Sequence, residues 1–377
     1  MNAANEVWFS SEAFLQRRGG VSRCFCEVAA ALDGHPEFGW RPTIRVGLHS
    51  NLHLGDLAAS RGIGRRIVRG RRFRLPGSLR RWCSRWTDRS LLATLRRRAD
   101  RNRLVVHDTG HRLASIGFDA AQVVITVHDL INDEDPVYRR ERAGLLREKA
   151  AAVARAARIV VPSFATRDAL IRVHGVDEAR IDVIHHGSRM PPPDDRDPIG
   201  LPYLLHVGSR GRYKDFATLT RAFARVRRSG FTGILVNVGG GPLRGSERSA
   251  MDELGLPAGS IRAIGADDRE LATLYANAQA LAVPSRIEGF GIPILEAMSL
   301  GCPVACMEAP GCAEVAGEAA LLAPVEDDTA LAANLARIIG DARERSRLVK
   351  AGLARADAFT WAESARKHAA CYARALG

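Results

Sequence analysis

Glu288 and Glu296 are separated by seven residues within ALAVPSRIEGFGIPILEAMSLGCPV, residues 280–304. The apolar run ends at Pro284 and Ser285 as a strand would. A turn bearing Gly289, Phe290 and Gly291 follows, and Pro293 stands near the first position of a helix, where its missing N–H costs nothing. Glu288 therefore falls on the turn and Glu296 on the helix. The free N–H groups and positive dipole end of such a helix suit an anion such as a diphosphate. Gly289 and Gly291 let the backbone approach it without a Cβ in the way. Two carboxylates beside that anion accept hydrogen bonds from sugar and ribose hydroxyls. The plain alternative leaves Glu288 a solvated loop residue and Glu296 a first-turn carboxylate satisfying the dipole.

The elements that would hold these groups recur along the chain. Short β-branched runs, RLVVHD at 103–108, VVITVHD at 123–129, RIVVPS at 158–163 and IDVIHHG at 181–187, alternate with helical patterns. Such alternation predicts right-handed βαβ units and a parallel sheet. SRMPPPDDRDPIG at 188–200 breaks the pattern with prolines and aspartates and reads as a linker. Alternation then restarts with YLLHVGS, GILVNVGGG, IRAIG, QALAVPS and PVACMEA. The expected architecture is two α/β domains, each a doubly wound parallel sheet, facing across a cleft. The first spans 1–188, 189–200 links, the second spans 201–356, and an amphipathic helix at 357–377 crosses back to the first. In such sheets ligands sit beyond the carboxyl ends of the strands.

Length and composition agree. The 377 residues suffice for two cores, with 46% hydrophobic and 26% charged residues. No apolar run reaches the roughly 18 residues of a spanning helix, and MNAANEVWFSSE does not read as a leader. A cytoplasmic protein is expected. The seven cysteines form no CxxC pair, which suits reduced thiols and predicts no metal site. A net charge of +13 calls for an anionic partner: nucleic acid, a membrane surface or a phosphorylated substrate.

Several blocks, in order, resemble one family. They are GGVSRCFCEVAAAL at 19–32, VHDL at 127–130, VPSFATRDAL at 161–170, VIHHG at 183–187, HVGSRGRYKDFATLTRAF at 206–223, VGGGP at 238–242, the Glu288–Glu296 segment and GCAEVAGEAALLAP at 311–324. Together they resemble the retaining glycosyltransferases of GT-B fold, family GT4, whose paired glutamates form an EX7E motif. The variants GGVSR and GSRGRYKDF look most like the subgroup serving bacterial O-antigen, capsule and exopolysaccharide assembly, within lipopolysaccharide biosynthesis and its relatives.

The resemblance implies roles. Lys214 matches the cation that neutralises a departing diphosphate, and transfer from a nucleotide sugar does build negative charge there. His128 matches a residue near the reacting carbon of the donor sugar. Gly19 and Gly20 match a turn that approaches the diphosphate and the acceptor. Glu288 matches the carboxylate holding donor-sugar hydroxyls and Glu296 the one holding the ribose, with Gly240, Gly289, Phe290, Gly291 and Ile292 as donor-binding backbone. The family often carries an arginine at the position of Ser209; here Arg210 or Arg212 is the expected substitute. The implied reaction is hexosyl transfer with retention, by front-face attack in which the leaving phosphate takes the acceptor's proton. It implies no metal and no separate cofactor, since the GDP- or UDP-sugar is itself a substrate. A lipid-linked oligosaccharide is the implied acceptor.

Residues 61–103 carry sixteen arginines against two acids, Asp88 and Asp100. Leu79, Trp82, Cys83 and Trp86 stand at helical spacing there, which reads either as a surface helix on an anionic membrane or as a solvated helix whose tryptophans pack on its own domain. The first reading adds peripheral attachment to the cytoplasmic face of the inner membrane. No nucleic-acid module accompanies the charge, so nucleic acid is not expected. Two rivals remain. Gly239, Gly241 and Gly245 in VGGGPLRG have the look of an NAD(P)-dependent oxidoreductase loop, but RAIGA at 262–266 brings no acid to bind a ribose. An inactive scaffold of the same fold is the other.

Overall fold

The computed structural model describes residues 4–17, 19–59, 67–72, 77–97, 101–112 and 122–377. They form two compact units: Met1–Gly187 with Trp361–Gly377, and Ser188–Thr360.

The first unit is built on seven strands, β1 (Asn5–Phe9), β2 (Trp40–His49), β3 (Val68–Arg72), β4 (Leu104–Asp108), β5 (Val123–Thr126), β6 (Arg158–Val161) and β7 (Ile181–Val183). All pair in parallel in the order β3-β2-β1-β4-β5-β6-β7. Every residue of β4 and β5 is buried, as expected of parallel strands covered on both faces. The strands stop two to four residues short of the apolar runs at 123–129, 158–163 and 181–187. Those last residues have already left the sheet for the loops.

The closing helix Trp361–Leu376 covers this sheet with Trp361, Ala365, His368 and Tyr372. The fully buried His107 on β4 is held from both sides, its Nδ1 2.8 Å from Tyr372 Oη and its Nε2 2.8 Å from Thr126 Oγ1. Arg374 pairs with Asp182 at the end of the same helix. Residues 357–360, expected to begin the crossover, belong to the second unit.

The second unit has six parallel strands, β8 (Tyr203–Val207), β9 (Ile234–Val238), β10 (Ile261–Ile264), β11 (Ala280–Val283), β12 (Val304–Met307) and β13 (Ala320–Ala323), in the order β10-β9-β8-β11-β12-β13. Neighbouring residues of a strand enter different cores: Tyr203 and Leu205 pack with Val236 and Ile294, and Leu204 with Leu235 and Phe223. The helix Phe216–Arg228 buries Phe216, Leu219, Phe223 and Val226, one face at helical period. Residues 189–200, expected to be the linker, pack on this unit. Met190 and Ile199 lie against its core, Asp194 N donates to Thr273 Oγ1 at 2.8 Å, and Arg269 pairs with Asp194. Prolines keep the segment out of helix and sheet without detaching it.

The strand order reverses between β1 and β4 in one sheet and between β8 and β11 in the other. At such a point the loops leaving the two strands diverge and open a crevice. The loops that follow β8 and β11 carry Lys214 and Glu288.

Candidate functional site

Past β8, Gly208 takes φ +146° and the chain turns through a single 3-10 turn, Arg212–Lys214. Asp215 follows at φ +43° and caps the helix Phe216–Arg228, accepting from Thr218 Oγ1 at 2.7 Å. Past β11 the chain runs back beside this loop. Arg286 N donates to the Tyr213 carbonyl at 2.8 Å and Arg286 Nη2 to that of Arg212 at 3.1 Å. These bonds set Lys214 Nζ 2.5 Å from Glu288 Oε1, with both side chains largely buried. Burial pulls the ammonium's pKa down, but Glu288 and Tyr213 more than offset it, and the net shift is upward. Lys214 is a fixed cation at the mouth of the crevice.

Gly291, at φ +104°, opens the helix Ile292–Ser299, and no side chain caps that helix. Pro293 brings no N–H to the first turn and Ile294 N donates to the Gly291 carbonyl at 2.9 Å, which leaves the Ile292 N–H and the positive dipole end for a ligand or water. Phe290 is buried and meets Phe359 edge-on at 5.9 Å. Glu296 is only 5% exposed, and Tyr275 Oη donates to its Oε2 at 3.0 Å. A side chain on Gly311 would overlap the Glu288 carbonyl, so the helix Pro310–Ala316 packs straight onto the backbone of the glutamate turn. Neither Tyr275 nor Gly311 was singled out from sequence, although Gly311 opens the GCAEVAGEAALLAP block.

Of the residues expected to bind phosphate beside Lys214, Ser209 and Arg212 are exposed. Arg210 is turned the other way, with its side chain 1% exposed. It donates from Nε to Glu247 Oε1 (3.0 Å), from Nη1 to the Gly239 carbonyl (3.1 Å), and from Nη2 to the carbonyls of Gly240 (3.3 Å) and Pro242 (2.7 Å). The reason is local: Gly239, Gly240 and Gly241 all have positive φ, and the turn they make gathers its carbonyls around one guanidinium. Arg210 braces the glycine turn and is not the free phosphate-binding cation the sequence suggested. The helix that follows, Gly245–Glu253, has Glu247 accepting from Arg244 N at 2.7 Å. This start is closed where the start of Ile292–Ser299 is open.

In the first unit His128 follows β5. Its ring meets Phe25 edge-on at 5.6 Å and lies 5.6 Å from that of His186. Its Nε2 is out of solvent and has no hydrogen-bond partner among the described residues. Burial, reinforced by His111, His368 and Lys149, pulls its pKa down to about 3, so the imidazole is neutral at pH 7. Asp129 Oδ1 accepts from Ile131 N at 3.1 Å, a local turn contact. Gly19 is extended and precedes the helix Gly20–Gly34; a Cβ there would overlap the Gln16 side chain, whereas at Gly20 it would meet nothing.

Sequence reasoning missed a polar cluster at the ends of β1 and β4. Glu12 Oε1 lies 3.0 Å from Arg112 Nη2, and Asp88 Oδ1 accepts from Ser11 N (3.1 Å) and Ser11 Oγ (2.9 Å). Burial raises Glu12 to about 7 and Asp88 to about 6 against the pull of Arg112 and, at Asp88, of the Ser11 hydrogen bonds. Only the strand order brings residues 10–12, 88 and 108–112 together.

Residues 18–190 match the family described as Glycosyltransferase Family 4, and residues 195–355 that described as Glycosyl transferases group 1. The chain belongs to the GT4 glycosyltransferases. Its two Rossmann-like sheets are those of the GT-B fold. This GT4 chain is 42% identical over 110 residues, 29% of each chain, to the O-antigen chain mannosyltransferase B of Escherichia coli. It is 31% identical over 262 residues to the D-inositol 3-phosphate glycosyltransferase of Frankia alni, covering 63% of this chain and 64% of that one. The chain thus spans from under a third to just under two thirds of these relatives. Its fold superimposes on sucrose-phosphate synthase from Thermosynechococcus elongatus with a TM-score of 0.72 and 21% identity over 98% of both chains. The family leaves no place for the oxidoreductase alternative. Among the described residues no three His, Cys, Asp or Glu side chains are grouped to hold a metal ion, and no helix is long and apolar enough to cross a membrane.

Proposed function

We propose that this chain transfers a hexose, with mannose from GDP-mannose as the leading candidate, from a nucleotide-diphosphate sugar to a growing lipid-linked bacterial surface polysaccharide, with retention of configuration. Work of this kind would place it at the cytoplasmic face of the inner membrane. The observation that carries the reading is the Lys214–Glu288 pair beside the open start of the helix Ile292–Ser299.

An anionic diphosphate suits the Lys214 ammonium, the Ile292 N–H and the positive dipole end of this helix. As the bond from the sugar's C1 to the diphosphate breaks, charge grows on the leaving oxygen, where a fixed cation in a partly dry site is worth most. Glu288 accepts hydroxyl hydrogens of the donor sugar. Glu296, oriented by Tyr275, accepts those of the ribose. The acceptor oxygen bonds C1 on the face the diphosphate leaves, and its proton passes to the departing phosphate oxygen. His128, held neutral, serves the donor sugar as a hydrogen-bonding group and not as a charge. The mannose assignment is supported by the E. coli relative's activity and by the subgroup that GGVSR and GSRGRYKDF resemble.

Slow donor hydrolysis tests the stereochemistry. Proton NMR of an α-linked sugar nucleotide incubated with the protein in EDTA should show the α-anomer of the free sugar first. First appearance of the β-anomer would overturn retention.

A further inference from the structure

The helix Gly77–Arg97 has two unlike faces. Ser84, Asp88 and Leu91, at helical spacing, are buried. Ser84 Oγ lies 2.6 Å from Ser11 Oγ, and Asp88 takes the Ser11 hydrogen bonds described above. Where the helix crosses β2, Gly47 is at φ +57°, and a Cβ on it would lie 2.6 Å from Thr87 Oγ1. The helix is thus seated closely on its own unit by a partly polar face. The other face carries Leu79, 42% exposed, Trp82, 63%, and Trp86, 64%, at i, i+3 and i+7. The remaining tryptophans, Trp8, Trp40 and Trp361, are all buried. The sequence left open whether this pair packs on its own domain; it does not.

Among its described residues the exposed charges of this helix have one sign. Arg85 and Arg89 are exposed on the same helix, and Arg69 and Arg71 on the edge strand β3. Asp88, an acid within the helix, points inward. We infer that this face is a docking surface for a bilayer rich in anionic phospholipid, with Trp82 and Trp86 at headgroup depth and the arginines on lipid phosphates. Indole rings settle at the membrane interface, and guanidinium groups beside them are drawn to its negative potential. A purely electrostatic surface for nucleic acid would gain nothing from Leu79 aligned with the two indoles. The inference stands on the exposure and charge of one helix and not on the transfer chemistry, so either is able to fail without the other.

Flotation of the full chain with vesicles tests it. Vesicles of phosphatidylcholine with about a third phosphatidylglycerol should carry the protein up, and pure phosphatidylcholine vesicles should not. With the other three tryptophans buried, a blue shift and acrylamide protection on binding report on Trp82 and Trp86. The double variant Trp82→Ser, Trp86→Ser should lose at least tenfold in vesicle affinity and leave a remainder that is steeply salt-sensitive, whereas Arg85→Gln, Arg89→Gln should weaken binding and flatten its dependence on salt. Melting curves matching the wild type confirm that these variants fold. No preference for anionic vesicles, or unchanged binding by the tryptophan variant, would overturn the proposal. So would a wild-type dimer that the tryptophan substitutions dissociate, or a duplex DNA affinity exceeding that for vesicles.

Discussion

Lys214 Nζ and Glu288 Oε1 stand 2.5 Å apart although 74 positions separate them in the chain. They meet because β8 and β11 are neighbours at the point where the sheet reverses order, and because Arg286 ties the two departing loops together. Each charge is compensated by the other. A diphosphate gives the ammonium a second anion, and the donor's hydroxyls give the carboxylate new partners.

Lys214→Ala should lower turnover by roughly 10²–10³, the usual effect of removing one preorganised group that stabilises a leaving anion, and Glu288→Ala, which removes the carboxylate that holds the donor sugar, should abolish most transfer as well. Each should also lower the melting temperature, since the partner left behind is an uncompensated, mostly buried charge. The double variant should be less destabilised than the sum of the singles. Strict additivity by thermal melting would show that the pair is not coupled.

Arg210→Ala should raise KM for the donor far more than it lowers kcat, because Arg210 shapes the glycine turn without facing the crevice. Arg210→Lys should not rescue it, since one ammonium cannot replace a fork that makes four hydrogen bonds. A kcat loss at unchanged KM would make Arg210 a group that touches the reacting diphosphate.

Gly311→Ala should cost about 1–3 kcal/mol of stability and weaken donor binding, because the new methyl displaces the Glu288 backbone. Denaturant midpoints and donor KM measure the two effects. Wild-type values for both would mean that the turn yields without consequence.

The pH dependence of the first unit has two opposed parts. Burial depresses the imidazoles of His107, His111, His128, His186 and His368. Their contribution is full above about pH 6.5 and is lost as the pH falls, because the unfolded chain then binds the protons. Glu12, raised to about 7, works the other way: what it contributes is full below about pH 4.5 and is lost as the pH rises through 7. Glu12→Gln should therefore stabilise the protein at pH 8 by up to about 3 kcal/mol and leave it nearly unchanged at about pH 4. Denaturant titrations at the two pH values check this; a variant weaker at pH 8 would show that the Arg112 ion pair outweighs burial.

Much of the fold is legible in the sequence because β-branched runs and helical periods are local signals. Strand order is not, and so neither is the meeting of Lys214 with Glu288, though each residue stood out by type and setting. Arg210 was misread because a guanidinium's direction depends on the φ angles of a glycine turn thirty residues away. The Glu12–Arg112–Asp88 cluster draws on three distant segments, none with a motif of its own. On the basic helix, spacing showed a Trp-bearing stripe but not which face turns inward. Ser11, which receives Ser84 and Asp88, decides that, and it lies over seventy residues upstream. Residues 189–200 looked like a linker because proline excludes regular structure, yet their contacts with Thr273 and Arg269 are long-range and carry no local mark.

The central claim is that the open helix start beside Lys214 and Glu288 holds a nucleoside diphosphate. Thermal melting of the purified protein with GDP, UDP, dTDP, ADP or NAD, in EDTA, tests it most directly. One diphosphate at about a hundred times its Kd should add roughly 2.7 kcal/mol and raise the midpoint by several degrees, and Lys214→Ala should lose that gain. A shift with NAD and with none of the diphosphates, or a diphosphate shift undiminished in Lys214→Ala, would contradict it.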